Sequence, residues 1–150
     1  MKVCLGGTFD RFHKGHKALI KKAFELAGKE GFIFIGLTKG EIAKDKRNLK
    51  RFKERKEIIE QYIKELGFSS KCRLKPIHDK YGPTLNDDFD VIIVSPETKK
   101  TALEINEIRK KNNKKSIKIV EVQFVLAQDH KPISSTRIRN KEIDEEGNIL

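Results

Sequence analysis

The chain has 150 residues, of which 37% are hydrophobic and 37% charged, and its formal net charge is +11. This length suits one domain that buries its own core, and the clustered apolar residues argue against disorder. An apolar run of about 18 residues, which a transmembrane helix requires, does not occur. The first residues lack the apolar centre of a signal peptide, and the two cysteines form no metal-binding pattern. We therefore expect a cytoplasmic protein without membrane association.

The positive charge has two explanations that composition alone does not separate. A polyphosphate partner, such as a nucleotide or a nucleic acid, would be attracted by it. A heat-adapted surface would also be rich in lysine and glutamate. We favour the second explanation for most of the lysines.

Apolar runs of strand length alternate with segments of helical periodicity along the chain. The predicted elements are, in order, a strand at 2–5, a helix at 16–27, a strand at 32–37, a helix with apolar positions from Phe52 to Leu66, strands at 72–77 and 91–94, a helix at 98–111, a strand at 117–126 and a short helix from Ser135. An acidic tail at 141–150 is expected to fray.

This alternation predicts right-handed crossovers between parallel strands. The expected fold class is α/β: a single doubly wound Rossmann-like domain over residues 1–150, with a five-stranded parallel sheet and helices on both faces. Ligands of such sheets bind beyond the carboxyl ends of the strands, where the strand order switches. That rule directs attention to the segments that follow each strand.

The segment after the first strand reads GGTFD over residues 6–10, and His13 and His16 follow at a helix start. Two glycines after a buried strand allow a tight turn and a close approach to a ligand. His16 near a helix N-terminus can donate to a phosphate oxygen. Capping or surface histidines are the ordinary alternative. A zinc site would need a third ligand, and none is evident at a useful spacing.

The segment after the last strand reads ISSTRIR over residues 133–139. Two serines and a threonine at a helix start offer hydroxyls together with open backbone amides. Arg137 adds a planar guanidinium that suits phosphate. The pattern predicts an anion-binding segment. A capped helix with solvated arginines is the alternative, and the position beside the expected pocket weakens it.

These two segments resemble the GTFDxxHxGH and ISSTxxR signatures of the HxGH nucleotidyltransferase superfamily, in the same order and at the same separation. The resemblance implies transfer of a nucleoside monophosphate from a nucleoside triphosphate, with pyrophosphate leaving. Two further strings, DKYGPT at 79–84 and VSPET at 94–98, resemble the archaeal and eukaryotic phosphopantetheine adenylyltransferases. Bacterial enzymes of that activity carry threonine in place of His13 and an arginine-rich stretch near Ser95, and this sequence has neither.

The resemblance implies ATP and 4′-phosphopantetheine as substrates and dephospho-CoA as product, with CoA as a candidate product-like ligand. It implies that His16 stabilises charge on the α-phosphate and that a lysine before the second helix bridges the two substrates' phosphates. Lys46 is the best match for that lysine, and Lys44 and Lys39 are rivals. Mg²⁺ would be bound mostly by substrate oxygens and water.

The site residues implied by the resemblance fall into two groups. The nucleotide-binding group is Gly7, Thr8, Phe9, His13, His16, Ser134, Ser135, Thr136 and Arg137. The acceptor-binding group is Thr8, Asp10, Lys46, Asp79 and Tyr81. His16 and Lys46 are the expected catalytic residues.

Three rival functions remain from the sequence. Another member of the superfamily, such as a cytidylyltransferase or an FMN adenylyltransferase, would share the terminal signatures. A nucleic-acid-binding module would suit the charge, but 7% aromatic residues without tryptophan make a base-stacking platform a poor expectation. A nucleotide sensor without activity would not need the intact HxGH and ISST strings.

Overall fold

The computed structural model describes residues 1–40, 50–68 and 70–150. Its elements are, in chain order, β1 (Lys2–Gly7), α1 (Lys14–Ala27), β2 (Phe32–Thr38), α2 (Phe52–Leu66), β3 (Lys71–Ile77), β4 (Val91–Val94), α3 (Lys99–Lys111), β5 (Lys118–Glu121) and α4 (Ser135–Arg139). A 3₁₀ turn, Gly82–Leu85, lies between β3 and β4.

The five strands form one parallel sheet in the order β3-β2-β1-β4-β5. The chain therefore builds the sheet outward from β1 in one direction and then returns to add β4 and β5 on the other side. The switch in direction lies between β1 and β4, where doubly wound sheets bind their ligands. The predicted α/β class and five-stranded parallel sheet are confirmed.

Alternate residues of the central strands bury themselves on opposite faces of the sheet. On one face, Val3 and Leu5 pack with Phe24 of α1 and Ile59 of α2. On the other face, a second core forms between the sheet and α3; its buried members are Cys4, Phe89, Ile92, Val94, Ala102, Ile105 and Ile117. Helices thus cover both faces, as the continuous apolar runs of β2 and β4 require.

The last strand is shorter than predicted. β5 ends at Glu121, whereas the apolar pattern runs to Leu126. Its only neighbour, β4, ends at Val94, and the bond from the amide of Val122 to the carbonyl of Val94 is the last between them. Beyond that point the chain pairs with itself, because the amide of Ile133 donates to the carbonyl of Val125 at 2.9 Å.

The acidic tail is packed, contrary to the expectation that it frays. Ile143 is fully buried against Ala127 and Ile133, and the carbonyl of Gly147 accepts from the amide of Gln128 at 2.9 Å. One apolar side chain among charged neighbours is enough to fix the segment, since its burial is favourable whatever the tail's net charge.

Candidate active site

A cavity of about 290 Å³ opens at the carboxyl ends of β1 and β4, where the strand order switches. Its walls come from the β1–α1 loop, the start of α3, the stretch after β5 and the start of α4. The wall residues that the sequence singled out are Gly7, Thr8, Phe9, Asp10, His13, His16, Ser134, Ser135 and Thr136. The fold thus brings the two signature segments together around one space.

The β1–α1 loop turns sharply as it leaves the sheet. Phe9 has a φ of 52°, in the left-handed region that a bulky side chain rarely adopts, and it is 4% exposed. Its ring meets the His16 ring edge-on, with the centroids 5.2 Å apart. Strained backbone of this kind is found where the surrounding structure holds a functional loop in one shape.

His13 and His16 form a stacked pair at the start of α1. Their ring centroids lie 3.7 Å apart at an interplanar angle of 19°. Nδ1 of His13 accepts from the amide of Gly15 at 3.0 Å, and Nδ1 of His16 accepts from the amide of His13 at 3.3 Å. The two bonds together form a capping box, with histidines in both roles. A side chain on Gly15 would approach the His13 ring to 2.8 Å, so glycine is required there.

Both histidines are neutral at physiological pH. Burial lowers the pKa of His13 to about 4. Burial, together with the neighbouring His13, lowers the pKa of His16 to about 2. Because each Nδ1 accepts a hydrogen bond, we assign the proton of each ring to Nε2. His16 therefore offers one N–H donor to the cavity without carrying a charge of its own.

Thr8 lies between β1 and β2 at the edge of the cavity. Its hydroxyl accepts from Oγ1 of Thr38 at 2.9 Å, which leaves the Thr8 proton available to a ligand. Its carbonyl accepts from Nη1 of Arg55 at 3.0 Å. Arg55 is 3% exposed, and burial lowers its pKa. The sequence analysis assigned this arginine no role in the site.

Asp10 braces the loop. It is 2% exposed, and its two carboxylate oxygens accept from the amide of Lys50 at 3.1 Å and from Nη1 of Arg139 at 2.7 Å. Its carbonyl also accepts from the hydroxyl of Ser135. With both oxygens bound by protein donors, the carboxylate ties the β1–α1 loop to α2 and α4.

The arginine that lines the cavity is Arg139, whereas the sequence interpretation chose Arg137. Arg137 binds Asp129 through Nη2 and Glu142 through Nε, and its Nη1 donates to the carbonyl of Pro132 at 3.0 Å. These bonds hold it away from the cavity. Counted from Ile133, the arginine of the ISSTxxR string is also Arg139.

The hydroxyls of the ISST segment are partly used by the protein. Oγ of Ser134 caps α4 by accepting from the amide of Arg137 at 3.2 Å. Oγ1 of Thr136 accepts from Nη2 of Arg139 at 3.3 Å. The first amides of a helix have no partner within it, so the start of α4 presents donors that are fixed in place by these caps.

A second cavity, of about 140 Å³, lies on the α3 side of the sheet and shares Gly6, Gly7, Ile93 and Thr98 with the first. Its other walls are mainly apolar, and they include Phe34, Ile77, Tyr81, Pro83, Ile92, Val94 and Ile105. The two cavities therefore meet at the glycine turn.

Polar residues stand at the mouth of this second cavity. Nζ of Lys80 lies 2.7 Å from Oε2 of Glu104, and the hydroxyl of Tyr81 donates to the same oxygen at 3.0 Å. Asp79 accepts from the amides of Tyr81 and Gly82 at 2.9 and 2.8 Å, so it shapes the loop. Of this predicted pair, Tyr81 lines the cavity and Asp79 supports it.

The structure describes one of the three lysines that are candidates for bridging the phosphates. Lys44 and Lys46 lie outside the described residues. Lys39 is exposed, and its Nζ lies 5.1 Å from the centroid of the Phe52 ring. Among residues 1–40, 50–68 and 70–150, no group of three metal-binding side chains is present, and no helix is long and apolar enough to cross a membrane.

Comparison with known proteins places this geometry in a family. A family model described as cytidylyltransferase-like matches residues 4–141. A phosphopantetheine adenylyltransferase of Methanosarcina mazei is 47% identical over 149 residues, which are 99% of this chain and 96% of that protein. The chain belongs to the phosphopantetheine adenylyltransferase family, within the cytidylyltransferase-like group.

Other relatives agree with this assignment to the phosphopantetheine adenylyltransferases. The protein of that name from Archaeoglobus fulgidus is 43% identical, with full coverage of both chains. A crystal structure from the same organism, of a protein described as of unknown function, is 40% identical with a TM-score of 0.74; the match covers 81% of this chain and 89% of that one. A nicotinate-nucleotide adenylyltransferase of Vibrio parahaemolyticus, described as putative, is 14% identical with a TM-score of 0.54. That match covers 97% of this chain and 82% of that one, and it shares the fold.

Proposed function

We propose that the protein transfers the adenylyl group of ATP to the phosphate of 4′-phosphopantetheine, releasing pyrophosphate and forming dephospho-CoA. The observation that carries this proposal is the pair of cavities that meet at Gly6 and Gly7. One is polar and suits a nucleotide; the other is apolar with a polar mouth and suits a flexible acyl-amide arm. The names of the relatives supply the two substrates.

The nucleotide would occupy the larger of these two cavities. His16 would donate from Nε2 to an oxygen of the α-phosphate, and the start of α4 would donate to the β- and γ-phosphates. Arg139 would add positive charge beside them. Such donors are fixed before the substrate arrives, so they stabilise the developing charge without reorganising.

The acceptor phosphate would lie at the junction of the cavities, near the Thr8 hydroxyl. One of its oxygens attacks the α-phosphorus, and the bond from that phosphorus to the bridging oxygen of pyrophosphate breaks. The pyrophosphate leaves with the electron pair of that bond. The acceptor phosphate is ionised near neutral pH, since its second pKa is about 6, so no side chain is needed as a base. Catalysis is then alignment and charge stabilisation.

The chemistry of the cavity fits a substrate-bound Mg²⁺. Asp10 has both oxygens engaged by Lys50 and Arg139, so it is not free to bind the ion. Mg²⁺ would be held by triphosphate oxygens and water, where it neutralises charge. CoA, which shares the pantetheine arm, would compete for the apolar cavity. A cytoplasmic location suits the free thiols of Cys4 and Cys72.

The test is pyrophosphate release with Mg²⁺, with ATP compared against CTP and 4′-phosphopantetheine against FMN and glycerol phosphate. We expect release with ATP and 4′-phosphopantetheine alone. Release with CTP instead would favour the cytidylyl transfer after which the wider family is named. Turnover of FMN would show that the acceptor is FMN and not 4′-phosphopantetheine. Absence of turnover with every pair would contradict the proposal.

A further inference from the structure

Arg55 is a buried cation whose hydrogen-bond acceptors among the described residues are all carbonyl oxygens, and its Cζ lies 5.8 Å from the centroid of the Phe52 ring. It lies in the first turn of α2 and is 3% exposed. Nη1 donates to the carbonyls of Thr8 and Thr38, at 3.0 and 2.9 Å, and Nε donates to the carbonyl of Lys50 at 2.8 Å. In the part of the chain that the structure describes, Arg55 forms no ion pair, and the nearby Asp10 is already paired with Arg139.

The position of these carbonyls gives the guanidinium a specific task. The ladder between β1 and β2 ends with the pair Gly7 and Leu37. Thr8 and Thr38 come next, and the Arg55 fork and the Thr38-to-Thr8 hydroxyl bond hold them together one residue beyond the ladder. Without those bonds, the described pairing of the two strand ends would stop at Gly7 and Leu37.

Thr8 and Thr38 lie on different cavities. Thr8 lines the polar cavity and Thr38 lines the apolar one. The spacing of these two residues therefore fixes where the nucleotide and the acceptor meet. A displacement of about 1 Å between reacting groups can lower a rate about 10²-fold.

We propose that Arg55 is a positioning residue for phosphoryl alignment: by clamping the carbonyls of Thr8 and Thr38, it sets the register of the two substrate cavities. The inference rests on the proposed adenylyl transfer. Arg55 acts through Thr8 and Thr38 and is not assigned a contact with substrate.

The chain supplies a matched control. Arg109, 1% exposed, likewise donates to three carbonyls, those of Thr84, Asp87 and Lys115, and it also pairs with Asp88 at 2.8 Å. It fastens the end of α3 to the loop before β4. Of these partners, Thr84 lines the apolar cavity and none lines the polar one, so Arg109 does not join the two cavities. Arg55→Lys and Arg109→Lys both keep the charge and lose the planar fork, so both should lower the melting temperature.

The experiment is steady-state pyrophosphate release by the two variants, at a temperature where circular dichroism shows both folded. Arg55→Lys should lower kcat about 10- to 100-fold while the KM values for both substrates change less than about threefold, the signature of lost alignment. Arg109→Lys should keep kcat within about twofold. Equal kcat losses in the two variants, or an unchanged kcat in Arg55→Lys, would overturn the proposal.

Two further measurements keep the inference testable. Thr38→Val removes the hydroxyl bond to Thr8 and leaves Arg55 unchanged, so it should lower kcat. Thr38→Ser keeps the hydroxyl and should have a kcat near that of the wild type. If the two Thr38 variants are equally active, the contact between Thr8 and Thr38 does not align the substrates, and this test holds even if Arg55→Lys does not fold. Amide hydrogen exchange should accelerate at residues 8 and 38 in Arg55→Lys and not in Arg109→Lys. Because exchange needs no turnover, it judges the clamp even if wild-type protein proves inactive and the proposed function fails. If the exchange rates at residues 8 and 38 are unchanged in Arg55→Lys, Arg55 does not hold these two residues together and the proposal is wrong.

Discussion

Nη1 of Arg139 lies 2.7 Å from Oδ2 of Asp10, so an ion pair joins residues 129 positions apart in the chain. The pair is buried on the Asp10 side and fixes α4 against the β1–α1 loop. The hydroxyl of Ser135 adds a second bond to the same loop. The two signature segments are thus bonded directly to each other, and a substitution in either should change the position of the other.

Arg139→Gln should weaken ATP binding about 10- to 100-fold, since a hydrogen bond to a charged group contributes about 1.5–3 kcal/mol. Isothermal calorimetry with ATP measures this directly. Arg137→Gln is the control: its partners are Asp129, Glu142 and backbone carbonyls outside the cavity. It should lower thermal stability while keeping ATP affinity within about twofold. The reverse order of effects would restore Arg137 as the phosphate-binding arginine.

His16→Ala should lower kcat about 10²–10³-fold, because it removes the fixed donor that we propose for the α-phosphate. Loss of substrate affinity should be small by comparison, since the donor acts on charge that develops during transfer. The matched control is His130→Asn, at an exposed turn with a φ of 63°, which asparagine tolerates. Turnover of His16→Ala near that of the control would remove His16 from the catalytic role.

The stacked histidines should make folding sensitive to acid. Their folded pKa values, about 4 for His13 and about 2 for His16, lie below the ordinary value of 6.5. The unfolded chain therefore binds more protons, and the free energy of unfolding rises with pH up to about 6.5. The contribution is complete above that pH. It declines as the pH falls toward 4 for His13 and toward 2 for His16.

Urea denaturation between pH 7.5 and 4.5, a range of about 3 units around the ordinary histidine pKa, measures this dependence. His16→Gln should flatten the curve relative to wild type, because one of the two depressed groups is gone. An equal slope in the two proteins would show that His16 is not held neutral. His16 should not titrate in this range during turnover. If kcat falls as the pH is lowered through about 6, we therefore attribute the fall to protonation of the acceptor phosphate, whose second pKa is about 6.

The apolar cavity should select the acceptor and not the nucleotide. Thr101 lines it from α3, so Thr101→Phe should fill part of the space and raise the KM for 4′-phosphopantetheine at least about 10-fold, the lower end of what one added methylene costs in a hydrophobic pocket. The KM for ATP should change little. Leu103→Phe on the same helix, at a residue 51% exposed, is the control. A parallel rise in both KM values would show that the two sites are not separate.

The sequence predicted the sheet because buried parallel strands are continuous apolar runs, as in β2 and β4. It predicted the His16 environment because a glycine turn, a helix start and a signature string coincide within residues 6–16. It could not show Arg55, whose importance comes from carbonyls far away in the chain: Thr8 is 47 residues distant. One buried arginine does not change the hydrophobic periodicity of the sequence, so the pattern does not reveal it.

Two features of the structure were not visible in the sequence. Arg137 and Arg139 both suit phosphate by chemistry, and the structure distinguishes them by their ion-pair partners, Asp129 and Asp10. The tail was expected to fray because its composition is acidic. A buried side chain, Ile143, holds the tail against the rest of the protein, and the overall composition of the tail does not reveal the effect of one residue.

Ile143→Ala should therefore destabilise the protein although only seven residues of the sequence follow it. The side chain is fully buried with Ala127 and Ile133, and truncating such an isoleucine costs about 2–5 kcal/mol. Ile149→Ala, at a position 56% exposed, is the matched control and should change the free energy of unfolding by less than about 0.5 kcal/mol. Urea denaturation compares the two variants. Because Ile133, which packs against Ile143, also lines the larger of the two cavities, Ile143→Ala should raise the KM for ATP as well. Equal, small effects of both substitutions would mean that the tail is frayed after all.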